Sequence, residues 1–322
     1  METFPQANTP KTTEQIEKNK DKLNLTPNIN FVSGHIATYK KGLEDLLEIT
    51  PSAESQSWAN TIEFIGTDDI VKPQVLPEDA TKLLARMPIA LIELSTLSTI
   101  SYHTFGNPRV IPVPGFDENG NLDQSKIELV PVDEFPREDD HPSRILVGVS
   151  NGETIFPTPI PESVSKDAEA VYLYQVHVFL HEFFHTIDYK RRDPELRASV
   201  SLEFEGESFT FQEWWKEFEA LVLSGEEPNC ISSYAKTYEQ ELNSNTKEKD
   251  NKKFTQALAE QICESFVAYQ LGIISNEEDW TEFKNESFGN KKQQEKFKKE
   301  QAPSANLKWQ LMDKLCRAKV MK

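Results

Sequence analysis

Residues 176–189 read VHVFLHEFFHTIDY and set His181 and His185 four positions apart with Glu182 between them, an HExxH arrangement inside a strongly apolar run. The chain has only six His in 322 residues, so composition alone would produce such a match roughly once in a hundred chains of this kind. On a helix this spacing places both imidazoles on one face about 6 Å apart along the axis, a span that two bonds of about 2.1 Å to one Zn2+ can bridge. Glu182 then stands about 100° round the helix, beside the ion rather than in its coordination shell. Val171, Leu173, Val176, Val178, Phe179, Leu180, Phe183, Phe184 and Ile187 cover nearly every other direction, which predicts a buried helix over 168–189. His177 continues the row, but a helix carries it about 12 Å from His185, too far for one ion to bind both. It reads as a structural residue.

A third protein ligand has to come from elsewhere. The metzincin extension needs Gly at position 188 and His at 191, and this chain has Asp188 and Arg191. Downstream, residues 254–272 read FTQALAEQICESFVAYQLG, a helical pattern in which Glu260 and Glu264 lie one turn apart on a face shared with Ala257, Cys263, Val267 and Ala268. Two carboxylates among apolar neighbours are costly unless a cation or a hydrogen-bond donor meets them. An ion held by His181 and His185 supplies the first and an imidazole N–H the second. By spacing alone either carboxylate can be the ligand. Asp188, three residues after His185, lies on the metal side of the helix, where it would orient a ligand, contact substrate, or help end the helix near Lys190, Arg191 and Arg192.

Working outward, residues 1–30 carry few apolar anchors and are expected to form a flexible tail. Residues 31–74 are expected to form a small N-terminal subdomain or extension, with a short helix within 30–49 and a strand entry over 58–66, and residues 75–322 the main domain. A helix over 77–94 is expected to break or kink at Pro88. The segments LSTISYH, RVIPVP, KIELVPV and RILVGVS then predict a small, mostly antiparallel sheet. Helices are expected over 168–189, 211–223, 254–271 and 306–320. Thr210 and Glu213 form a capping-box pair before the second, and Gly272 suits the left-handed position after the third. Strands followed by helices give an α+β class with a helical C-terminal half.

The quoted motifs resemble the gluzincin metallopeptidases, within them the group typified by the anthrax lethal factor catalytic domain. HEFFHTID is similar to that group's HExxHxxD, SYAKT at 233–237 to its Tyr-bearing segment, and AEQICESF to its ExxxAESF-type helix. The resemblance spans about residues 75–275 and implies a zincin-like fold. It implies His181, His185 and Glu260 as zinc ligands, Glu182 as general base, Tyr234 as oxyanion partner and Glu264 as a carboxylate behind a ligand imidazole. About 25 residues separate Tyr234 from Glu260 where the family has only a few, which leaves Tyr238 as an alternative. The implied activity is hydrolysis of a peptide bond in a peptide or protein substrate, with an edge strand, KIELVPV or RILVGVS, receiving the extended chain. The competing reading is a noncatalytic protein-binding module on the same fold, against which the retained Glu182 counts. A peptide deformylase would need a Cys ligand from an upstream strand, and none is there.

Composition limits the partners. Lys+Arg 35 against Asp+Glu 53 leaves a net charge of −18, which disfavours nucleic acid and anionic membrane surfaces alike. No stretch approaches the roughly 18 apolar residues of a membrane span, and the first twenty residues have no apolar leader core. Three Cys, an odd number, fit a reducing compartment. The expectation is a cytoplasmic protein or one exported without a cleavable leader, and the sequence is silent on oligomeric state.

Overall fold

The computed structural model describes residues 36–70, 75–104, 107–108, 110–116, 122–131, 148–150, 152–157, 167–188, 194–223, 251–272 and 302–321. The expected N-terminal tail, Tyr234 and Tyr238 lie outside them. Helix α1 (Ile36–Glu48) and α2 (Ala53–Ala59) lead into β1 (Glu63–Ile65). Trp58, expected to open a strand, sits in α2 instead, because Ser52 caps that helix with its side chain on the Ser55 amide at 2.9 Å. The helical run over 77–94 divides as its proline requires, into α3 (Pro77–Leu84) and α4 (Ile89–Leu94), with Pro88 at the N-cap of the second.

Strands β2 (Thr99–Ser101), β7 (Gly148–Ser150) and β8 (Thr154–Pro157) join β1 in a four-stranded sheet of order β1-β2-β8-β7. β1, β2 and β8 are parallel and only the edge strand β7 runs against its neighbour. This departs from the antiparallel pattern expected for the sheet. α3 and α4 cross between β1 and β2, and such a crossover is what parallel pairing needs. The remaining pairings are antiparallel: β3 (His103–Thr104) with β4 (Asn107–Pro108), and the long hairpin β5 (Val110–Phe116) with β6 (Leu122–Pro131).

The second half is helical: α5 (Ala168–Asp188), α6 (Pro194–Ala198), α7 (Phe211–Leu223), α8 (Asn251–Gln270) and α9 (Ala302–Arg317). α7 opens with the reciprocal capping box, in which the Glu213 amide donates to Thr210 Oγ1 at 3.1 Å and the Thr210 amide to Glu213 Oε2 at 2.6 Å. A small sheet interrupts the helices. β9 (Ser201–Phe204) and β10 (Glu207–Thr210) form a hairpin, and β11 (Lys319–Met321) pairs with the other side of β9. Val320, expected within the last helix, instead lies opposite Leu202 in that ladder.

α5 is the central element. From Val171 to Asp188 all but Tyr172 are buried, and the helix packs on α8, α1, β7 and β8. Phe266 of α8 lies against Phe184 and Phe183 with ring centroids 5.2 and 6.0 Å away, and Trp58 of α2 meets Phe183 edge-on at 6.1 Å. These contacts fix which side of α5 faces α8. The C-terminal end of α5 is tied to the segment before β2, where Thr96 donates through its amide (3.2 Å) and its hydroxyl (2.8 Å) to the Thr186 carbonyl, satisfying a group that a helix end otherwise leaves open. Residues 36–65 share this core: Tyr39, Leu43, Leu46, Ala59 and Ile62 are buried in the same apolar cluster as α5 and α8. Gly42 makes the approach of α1 possible, since a Cβ there would collide with the Leu271 carbonyl oxygen. Among the described residues no helix is long and apolar enough to cross a membrane.

Candidate metal centre

α5 and α8 bring their polar faces together along one seam. His181 Nε2 lies 3.0 Å from Glu260 Oε2 and 3.2 Å from His185 Nε2, and His185 Nε2 lies 3.5 Å from Glu260 Oε2. A tetrahedral ion held by bonds of about 2.0–2.1 Å keeps its donors about 3.4 Å apart, so this triangle has the right size for one. Two imidazoles and a carboxylate also have the right chemistry.

The other ring nitrogens decide the tautomers. His181 Nδ1 is 2.8 Å from Glu264 Oε1, and His185 Nδ1 is 3.1 Å from Asp188 Oδ1. An ionised carboxylate only accepts, so both Nδ1 atoms donate, and the two Nε2 atoms face each other and Glu260, where they carry protons in the metal-free site or offer lone pairs once those protons are removed. With the Nε2 protons removed, two lone pairs and a carboxylate oxygen converging within 3.5 Å in a buried site repel unless a metal ion takes the protons' place. These buried His and Glu groups are able to hold a metal ion.

Burial lifts the Glu182 carboxyl above the usual carboxylate range, against the pull of the His185 and His181 imidazoles. Glu182 is buried beside the pair, at 9% exposure. Burial also works against charge on Glu260 and Glu264. The neighbouring imidazoles outweigh it and hold both carboxyls well below their ordinary value. On the imidazoles, burial opposes charge, but Cys263, Glu260 and Glu264 hold His181 well above its ordinary value, as Cys263, Glu260 and Asp188 hold His185.

The structure thus brings together His181, Glu182, His185, Asp188, Glu260 and Glu264, six of the seven site residues named from the sequence, while Tyr234 lies outside the described residues. It adds a group that sequence reasoning passed over. Cys263 Sγ lies 3.5 Å from His185 Nδ1 and 3.7 Å from Nε2; His181, His185 and Cys263 form one set of groups close enough to share an ion, and His177, His181 and Glu264 another. The near-equal distances of Cys263 Sγ to both nitrogens of one ring show that the sulfur does not stand in front of Nε2 alone. Burial pushes its thiol up to about 11. The signal for Cys263 was present in the spacing, one turn after Glu260 on the same face.

Comparison of the chain with protein-family models, with curated proteins and with solved structures gives no match in any of the three.

Proposed function

We propose that this protein is a zinc-dependent peptidase of zincin-like fold that hydrolyses a bond within a peptide or protein chain. The observation that carries the reading is the convergence of His181 Nε2, His185 Nε2 and Glu260 Oε2 within 3.0–3.5 Å, with the buried Glu182 next to it. Two nitrogens and one oxygen suit zinc among the common ions, and three protein donors leave a position open, as catalytic sites do and structural sites do not. When bound there, zinc supplies a Lewis acid that polarises a carbonyl and makes water acidic near neutral pH.

The chain's own residues do the rest. Glu182 accepts a proton from the attacking water and returns it to the leaving amine, work that suits a carboxyl raised by burial. Glu264 and Asp188 hold the two imidazoles in the tautomer that presents Nε2. The resemblance gives a Tyr, 234 or 238, the part of hydrogen-bond donor to the developing oxyanion. Of the two strands considered for substrate, KIELVPV lies in the two-stranded β5–β6 hairpin, whereas the end of RILVGVS is β7, an edge of the four-stranded sheet that packs against α5. An extended peptide added along β7 would gain main-chain hydrogen bonds beside the site.

The test is a mixed peptide library incubated with purified protein, with and without chelator. Chelator-sensitive cleavage is expected, and Glu182→Gln should keep its zinc while losing about 10²- to 10⁴-fold in rate. A wild-type protein that holds zinc and cleaves nothing would end the peptidase reading.

A further inference from the structure

Beyond the residues that meet the ion, the polar seam continues into the N-terminal helix. His177 Nε2 lies 3.0 Å from Glu264 Oε1, the same oxygen that accepts from His181, and His177 Nδ1 lies 3.1 Å from the Tyr39 hydroxyl. Tyr39, His177 and Glu264 are at most 3% exposed, so bulk water does not stand in for a lost partner. The direction of each bond follows from Glu264. An ionised carboxylate accepts only, so His177 donates from Nε2, and in that tautomer Nδ1 accepts from the Tyr39 O–H. Glu264 Oε2 has no hydrogen-bond partner among the described residues. The orientation of this carboxylate therefore rests on the two N–H groups that meet Oε1.

We infer that Tyr39 is a positioning residue for the metal centre. Through its hydroxyl, α1 selects the His177 tautomer that anchors Glu264, and Glu264 in turn aims His181 Nε2. The inference rests on the proposed zinc site but concerns residues that no HExxH or ExxxE motif includes. It gives His177 a task other than filling the core. It also makes α1, whose Gly42 lies close against the Leu271 backbone just past α8, part of the site.

Without the hydroxyl, His177 can carry its proton on Nδ1. A lone pair then faces Glu264, which loses one of its two donors. Removing a partner of a ligand imidazole outright typically costs about 10- to 100-fold in affinity, so one step further back about 3- to 10-fold is expected for Tyr39→Phe, measured as zinc Kd by chelator competition on the full chain. The diagnostic measurement is a double-mutant cycle. Tyr39→Phe should weaken zinc binding in the wild-type background and have no effect in Glu264→Gln. Where Glu264→Gln fails to fold, His177→Gln serves instead, because an amide has no tautomer to select and Tyr39→Phe should again be silent. A readout without metal comes from 15N-labelled His: the His177 resonances should report Nε2–H in wild type and shift toward Nδ1–H in Tyr39→Phe. An equal Tyr39→Phe effect in all backgrounds, or an unchanged His177 tautomer, would overturn the inference and leave the zinc site standing. A folded wild type that binds no zinc would remove both.

Discussion

Asp188 accepts the Nδ1–H of His185 at 3.1 Å from three residues further along the same helix. Imidazole and orienting group are thus delivered by one turn of α5, with no dependence on how α5 packs. His181, by contrast, is oriented from α8 by Glu264. The two imidazoles point the same nitrogen inward for different structural reasons, and substitutions should separate them.

Asp188→Asn replaces an anionic acceptor with a weaker one without changing shape. Zinc affinity should fall about 10- to 100-fold with the fold intact. Chelator competition measures it, and an unchanged Kd would mean that Asp188 merely ends the helix.

The identity of the third donor is settled by comparing neighbours on one helix. Glu260→Gln should lose zinc at stoichiometric concentrations, since it removes the charged donor 3.0 Å from His181 Nε2. Cys263→Ser should retain about one equivalent. Native mass spectrometry showing the reverse would hand the role to the thiol.

Zinc should stabilise the fold more as pH rises. In metal-free protein the imidazoles are held above their ordinary 6.5, a contribution present below that value and lost as pH climbs through the raised one. Glu260 and Glu264 are held below their ordinary 4.5, a contribution present above it and lost as pH falls. The metal-free cluster therefore helps most between about 4.5 and 6.5, and the ion must displace protons there. The difference in Tm between zinc-loaded and chelator-treated protein should be larger at pH 8 than at pH 5.5. Equal differences would argue against ligation by these imidazoles.

Gly42→Ala should destabilise by about 1–3 kcal/mol, as overpacking typically does, because backbone rather than a flexible side chain blocks the new methyl. Urea midpoints measure this. No loss would mean that α1 can withdraw from α8 at little cost.

The helices were legible because their signals are local. The apolar surround of α5, Pro88, the Thr210–Glu213 box and Gly272, which does adopt φ 59, each act within a few residues. The hairpin of β9 and β10 was missed although Glu205–Gly206 forms a tight turn with φ 52 and 86. Glu is uncommon at positive φ, and SLEF and ESFT alternate too weakly to announce strands. What decides the fate of residues 318–321 is pairing with Leu202, more than a hundred positions away, against which the local helical pattern of the last turn counts for nothing. The same holds at the site. HExxH and ExxxE are short-range patterns, whereas the Tyr39–His177 bond joins residues 138 apart and leaves no mark on either neighbourhood.

The alternation of acidic and imidazole groups along the seam also works as a vernier between two helices. On α5 His177, His181 and His185 recur every turn, and on α8 Glu260 and Glu264 do the same, the carboxylates interlocking with the gaps between rings. If α8 slid by one turn, about 5.4 Å, one of its carboxylates would leave the row and lie against apolar side chains, while an imidazole at the other end lost its acceptor. Apolar packing alone tolerates such slippage far better, since one Phe or Leu can replace another. The charged ladder therefore admits a single alignment of these helices, and the three inward donors meet only in that alignment.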